Sequence, residues 1–173
     1  MLDAKKLAEI ISYSFISHDE QAKTDKNRIR LWDKKTPYGV HPTWCAMTLL
    51  FETSLPEEIR VNGAQALLYH DLLEDTTASL PVDCPPAVKS LVLELTFANS
   101  KEAMKEIWNK SDTAKLLKLY DKVSNLLDSV WMTEEYLAPH KETVKKLTDF
   151  VEEKFGKLNI VIIARAMCVK NKP

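Results

Sequence analysis

Residues 67–76 read LLYHDLLEDT, and four ionisable side chains, His70, Asp71, Glu74 and Asp75, lie there among leucines. An ionised carboxylate in apolar surroundings is costly unless it is paired, hydrogen-bonded or bound to a metal. Adjacent His and Asp offer a neutral nitrogen and an anionic oxygen, both good ligands for a divalent first-row metal. Carboxylates one helical turn further on could orient a water and accept its proton. The same letters also suit a plainer arrangement, in which His70–Asp71 is a satisfied core pair and Glu74 and Asp75 end a helix in solvent. Two ligands do not hold a catalytic metal, so this chemistry needs partners from elsewhere in the chain.

His41, in TPYGVHPTWCA, is one candidate partner, although a histidine before proline is more often a cap or a surface residue. Asp121, in KLLKLYDKVSNLLD, is the other. The apolar stripe of that segment is Leu116, Leu119, Tyr120, Val123, Leu127 and Val130, with Asp121 at its border and Lys118, Asn125 and Asp128 further round. Periodicity alone makes this an amphipathic helix with a solvated face.

The elements that must position these groups read as helices. Only three glycines occur in 173 residues, which argues against a sheet-rich fold with many tight turns and against a Gly-rich phosphate loop. The spacing predicts a helix from Leu2 to about Ser17, then a polar and basic loop or short irregular helix from about Asp19 to Tyr38. A second helix is expected from His41 or Pro42 to about Ser54, and a third from about Pro56 to Glu74. On that third helix, with His70 at zero, Glu74 falls at about 40°, Asp71 at about 100° and Asp75 at about 140°, so all four groups share one side. Further helices are expected over Ala87–Leu95, over Lys101 to about Asn109, and from a Ser111 or Asp112 cap to about Trp131. Pro139 is expected to separate the last of these from a helix over about Lys141–Phe155, stopped by Gly156. The tail LNIVIIARAMCVK is β-branched, but with no partner strand evident it is expected to be a packed terminal helix. His140, Trp44, Trp108 and Trp131 read as core or structural. The expectation is an all-α bundle of about seven or more helices, forming one domain over 1–173.

A net charge of −1 marks no nucleic-acid binder, so any phosphate-binding surface must be local. Three scattered cysteines without a CxxC pair fit a reducing compartment. The N-terminus shows no signal-peptide pattern and no apolar run approaches the roughly 20 residues of a membrane span. The cytoplasm is the expected location.

Three stretches, TPYGVHP (36–42), ALLYHDLLEDT (66–76) and KLLKLYDKVSNLLD (115–128), resemble the HD-domain metal-dependent phosphohydrolases in order and spacing. The pattern is a His, a His-Asp pair and a distant Asp. HDxxED followed by DKxxNL is most similar to the (p)ppGpp hydrolase branch, the hydrolase domain of RelA/SpoT-type proteins and their small stand-alone homologues. The resemblance covers roughly residues 25–150. HD proteins that cleave cyclic dinucleotides look like HDxGK, with Lys where this chain has Glu74. The alternative is an HD-type nucleoside monophosphate phosphatase. A non-enzymatic helical module is a third reading; it should have lost at least one of the six motif residues, and all are present. The basic segment before His41 departs from the family's RKxGxPYxxHP, reading RIRLWDKKTPYGVHP, and residues 96–110 match poorly.

The resemblance implies one divalent metal, Mn²⁺ as first expectation with Fe²⁺ or Zn²⁺ also accommodated, held by His41, His70, Asp71 and Asp121. It implies Glu74 and Asp75 as the acids that orient and deprotonate water. Arg28, Arg30, Lys34 or Lys35, with Lys118 and Lys122, would supply cations for the phosphates of a nucleotide substrate. Asn125 would contact its nucleoside side, and Tyr38 or Trp32 could stack on its base. No synthetase domain is expected after residue 173, making this a hydrolase-only chain.

Overall fold

The computed structural model describes residues 3–169. Among these, nine α-helices and three short 3-10 turns form, and strand-like pairing is confined to two isolated bridges, Ala22 with Thr76 and Ile29 with Pro37. The helices are α1 (Ala4–Glu20), α2 (Val40–Leu50), α3 (Glu57–Tyr69), α4 (Leu72–Asp75), α5 (Pro86–Leu95), α6 (Ser100–Glu106), α7 (Asp112–Leu127), α8 (Glu134–Phe155) and α9 (Asn159–Val169). Leu2 and Lys170, the expected outer ends of the first and last helices, lie outside the described residues. No helix among the described residues is long and apolar enough to cross a membrane.

Local chemistry explains the helix starts. Asp3 accepts from the Lys6 amide at the start of α1, Asn99 from Glu102 on α6, and Ser111 from Ala114 on α7, each satisfying an otherwise orphaned N–H. Helix α7 is the axis of the bundle. Leu116, Leu117, Leu119, Tyr120 and Val123 are all fully buried, and α2, α3, α5, α8 and α9 pack around them. Close approach depends on Gly63: a Cβ there would meet Leu49 of α2 at 2.7 Å and Leu117 of α7 at 2.8 Å. Gly39 plays the same part before α2, since a Cβ there would press to 2.6 Å on the Phe15 ring of α1.

Two expectations are corrected. Pro139 does not divide the C-terminal half; α8 runs straight through it. The lost N–H lies near the helix start, and the buried stripe of Leu137, His140, Val144, Leu147 and Val151 continues across it. Burial of that stripe outweighs the roughly 3 kcal/mol that an interior proline costs. Nor does α3 reach Glu74. It ends at Tyr69, His70 and Asp71 form a turn, and a new helix starts at Leu72.

The tail is helical, as expected, and its anchor is Glu52, a buried carboxylate just beyond α2. Glu52 accepts from the amides of Asn159 (3.1 Å) and Ile160 (2.9 Å), the Asn159 side chain (3.1 Å) and the Tyr120 hydroxyl (3.2 Å). A carboxylate at a helix N-terminus satisfies orphaned donors and complements the helix dipole. Glu52→Ala leaves several donors without a partner, and each buried orphan costs about 1–3 kcal/mol. Urea unfolding should show Glu52→Ala destabilised by about 3 kcal/mol; a change below about 1 kcal/mol would show that α9 is held by its apolar face instead.

Candidate active site

His41 stands in the first turn of α2, His70 and Asp71 in the break between α3 and α4, and Asp121 midway along α7. The fold brings all four together. His41 Nε2 lies 3.4 Å from both Asp71 Oδ2 and Asp121 Oδ1, and His70 Nε2 lies 3.1 Å and 3.8 Å from the same two oxygens. One ligand atom each from His41, His70 and Asp121 falls within 4.8 Å of the others. The break after Tyr69 is what aims His70. Helix ends leave carbonyls without partners, and His70 Nδ1–H donates to the Leu67 carbonyl at 2.7 Å, turning Nε2 inward. His41 Nδ1 lies 2.8 Å from Ser124 Oγ, and donation there leaves its Nε2 facing inward too.

Both Nε2 atoms are buried and have no hydrogen-bond partner. Two inward-facing Nε2 atoms opposed by two carboxylates, each imidazole steadied through its other nitrogen, fit a divalent cation, which would take the place of a proton there. The electrostatics agree. Burial disfavours charge on His70, but Asp71 and Asp121 overcome it and lift its pKa to about 10. Burial likewise opposes charge on Asp71 and Asp121, yet the imidazoles, and for Asp121 chiefly Lys118 and Lys122, hold both well below the usual carboxylate range. The pocket stabilises positive charge at its centre.

Glu74 and Asp75 sit on α4 beside this centre. Glu74 Oε1 accepts from the Phe97 amide at 2.6 Å. Burial, then the charge of Asp71, pushes the pKa of each acid up to about 7.

A cavity of about 990 Å³ opens over the site, and Asp71, Glu74, Asp75, Arg30, Lys118, Lys122 and Asn125 line it. The polar face of α7 is therefore not solvated as periodicity suggested. Lys118 and Lys122 are buried, with Nζ atoms 2.9 Å and 3.7 Å from Asp121 Oδ2, and Asn125 donates to Asp121 Oδ1 at 2.7 Å. The segments around residues 23–38, 71–75 and 96–110 rise around this face, so it meets the floor of a cleft, which periodicity cannot distinguish from open surface. Arg30 is buried too, its Nε 2.7 Å from Asp128 and its Nη2 donating to Asn125 at 3.1 Å.

Arg28, Lys34, Lys35 and Trp32 do not line the cavity. Arg28 pairs with Asp19 on α1. Asp33 accepts from the Lys35 amide, fixing an exposed turn tip that carries Lys34 and Lys35 outward.

Other lining residues were not anticipated in these roles. Lys23 donates to the carbonyls of Leu73 (2.9 Å) and Glu74 (2.8 Å), fastening the basic loop to α4. Tyr38 does not simply offer a ring; its hydroxyl donates to Asp71 Oδ2 at 2.8 Å. Its place three residues before His41, on the loop leading into α2, was the available signal. Trp131 and Tyr136, 43% and 37% exposed, line the cavity with rings 5.9 Å apart. Behind them His140 is buried and its Nε2–H donates to the Lys122 carbonyl; burial, then Lys122, pushes its pKa down to about 4.

This helical bundle, with a His, a His-Asp pair and a distant Asp brought together beneath a large polar cavity, is that of an HD-type hydrolase. No family model matches the chain. The fold is shared with the solved structure of a metazoan ortholog of SpoT that hydrolyzes ppGpp, with a TM-score of 0.71, 25% identity and 96% of each chain covered. Relatives named guanosine-3′,5′-bis(diphosphate) 3′-pyrophosphohydrolase MESH1 match as well. That of Xenopus tropicalis is 27% identical over 96% of this chain and 98% of its own. That of Homo sapiens is 28% identical over 80% and 78%, and that of Drosophila melanogaster 32% over 71% and 69%. The chain belongs to this family of HD-type 3′-pyrophosphohydrolases.

Proposed function

We propose that this protein removes the 3′-pyrophosphate of guanosine alarmones, (p)ppGpp, as a metal-dependent phosphohydrolase with His41, His70, Asp71 and Asp121 as the metal ligands. The observation that carries this is the pair of buried, unpartnered Nε2 atoms opposed by two carboxylates at the floor of a large cavity that Lys118, Lys122 and Arg30 also line. The mixed nitrogen and oxygen set accommodates Mn²⁺, our first choice, and equally Fe²⁺ or Zn²⁺. When bound, such an ion supplies Lewis acidity toward a phosphoryl oxygen and lowers the pKa of water.

The chain's own groups do the rest. Glu74, anchored by the Phe97 amide, and Asp75 hold carboxylates at the cavity wall whose raised pKa values suit them to accept a proton from the attacking water near neutral pH. Lys118 and Lys122 orient Asp121 and place positive charge where the phosphoryl oxygens gain negative charge. Arg30 and Asn125 form the nucleoside side of the wall, and Trp131 with Tyr136 offers an apolar face for the base.

The test is turnover with Mn²⁺. The alarmone should release pyrophosphate. Orthophosphate release from deoxynucleoside monophosphates, with the alarmone untouched, would establish the HD-type monophosphate phosphatase instead, and no turnover of either would sink the enzymatic reading. Base stacking on an aromatic ring is worth about 1–3 kcal/mol. Trp131→Ala should therefore raise KM for the alarmone by roughly 5- to 100-fold with kcat nearly unchanged; an unchanged KM would remove Trp131 from the base site.

A further inference from the structure

Asp71 occupies a weak point in the chain. It lies in the break between α3 and α4, and as the residue before α4 its side chain makes no capping bond. Nothing local fixes the direction of its carboxylate, although Oδ2 must face both imidazoles at once. The Tyr38 hydroxyl donates to that same oxygen at 2.8 Å.

Tyr38 is itself firmly held. The His18 ring stacks on it with centroids 4.5 Å apart and planes 28° from parallel. Arg30 Cζ lies 5.3 Å over the ring, and His41 meets it edge-on at 5.7 Å. His18 is 1% exposed, and its Nδ1–H donates to the Asn27 carbonyl, which ties α1 to the basic loop. Arg30 is locked in turn by Asp128 and Asn125. A ring gripped in this way has its hydroxyl placed before any ion arrives.

We infer that Tyr38 is a positioning residue of the metal centre, clamped by His18 and Arg30 so that its hydroxyl holds Asp71 Oδ2 toward the two imidazoles. This rests on the metal-centre reading above, and it makes α1, through His18, part of the site. Outer partners of metal ligands typically contribute 10- to 100-fold to metal affinity or activity.

The test is calorimetric titration of the metal-stripped full-length protein with Mn²⁺ alone. Tyr38→Phe keeps the ring and its stacking but removes the hydroxyl, and should weaken Mn²⁺ binding by about 10- to 100-fold. At saturating Mn²⁺ its kcat should recover far more than that of Glu74→Gln, because the lost group orients a ligand and is not one of the proton-accepting acids. His18→Leu, which loosens the clamp, should weaken binding less. Tyr13→Phe is the control: that hydroxyl donates to the Ser79 carbonyl away from the site, so affinity should not change. Wild-type affinity in Tyr38→Phe, or an equal loss in Tyr13→Phe, overturns the inference while leaving the metal centre standing. A wild-type protein that binds no Mn²⁺ overturns the metal centre and this inference together.

Discussion

Asp71→Ala is expected to yield a folded protein that has lost both its metal and its turnover. The substitution removes one of two carboxylates from a buried centre that also holds two imidazoles and, on its far side, Lys118 and Lys122. Asp121 alone then balances an incoming dication while already satisfying both lysines and Asn125. The Tyr38 hydroxyl loses its acceptor as well. Loss of an outer partner costs about 10- to 100-fold, so loss of a ligand should exceed about 100-fold in both metal affinity and kcat/KM. Elemental analysis of the purified variant, run beside a turnover assay, checks this. Full metal content with near-normal turnover would take Asp71 out of the ligand set.

Glu74→Gln separates metal from chemistry. Glutamine keeps an oxygen to accept from the Phe97 amide, so the 96–110 wall of the cavity should stay in place. It cannot take a proton from water. Metal content should match the wild type while kcat falls by about 10²- to 10⁴-fold, the usual worth of a positioned general base. The pH profile tests the same point. A base works only when deprotonated, and burial lifts Glu74 and Asp75 to about 7. Wild-type kcat/KM should therefore fall as the pH drops through an acid limb at or below about 7, since a bound cation draws that limb lower. The limb belongs to the two acids jointly. Retention of near-normal turnover by Glu74→Gln would assign proton transfer elsewhere.

Much of the bundle was legible because its signals are local. Ser111 caps α7, Gly156 ends α8, and the spacing of apolar residues outlines most helices. Pro139 misled because a proline's local cost is visible in the sequence, whereas the buried stripe running across it is a tertiary quantity. The break at His70–Asp71 was hidden for the converse reason: the letters favour continued helix, and what rewards the break is an imidazole reaching back to the Leu67 carbonyl.

The chemistry divides along the same line. Residue types and order determined which groups could form a centre: a His, a His-Asp pair, two acids one turn on, and a distant Asp followed by Lys122 and Asn125. Tertiary structure decided which of them meet and in what state. It buried the face of α7 that periodicity assigned to water, sent Arg28 and Lys35 outward and Arg30 inward, and set Tyr38 on Asp71. The reason is physical. Ligand identity is carried by single side chains, while the direction of a lone pair, the pKa of an acid and the wall of a cavity arise from helices far apart in the chain, and exist only once those helices pack.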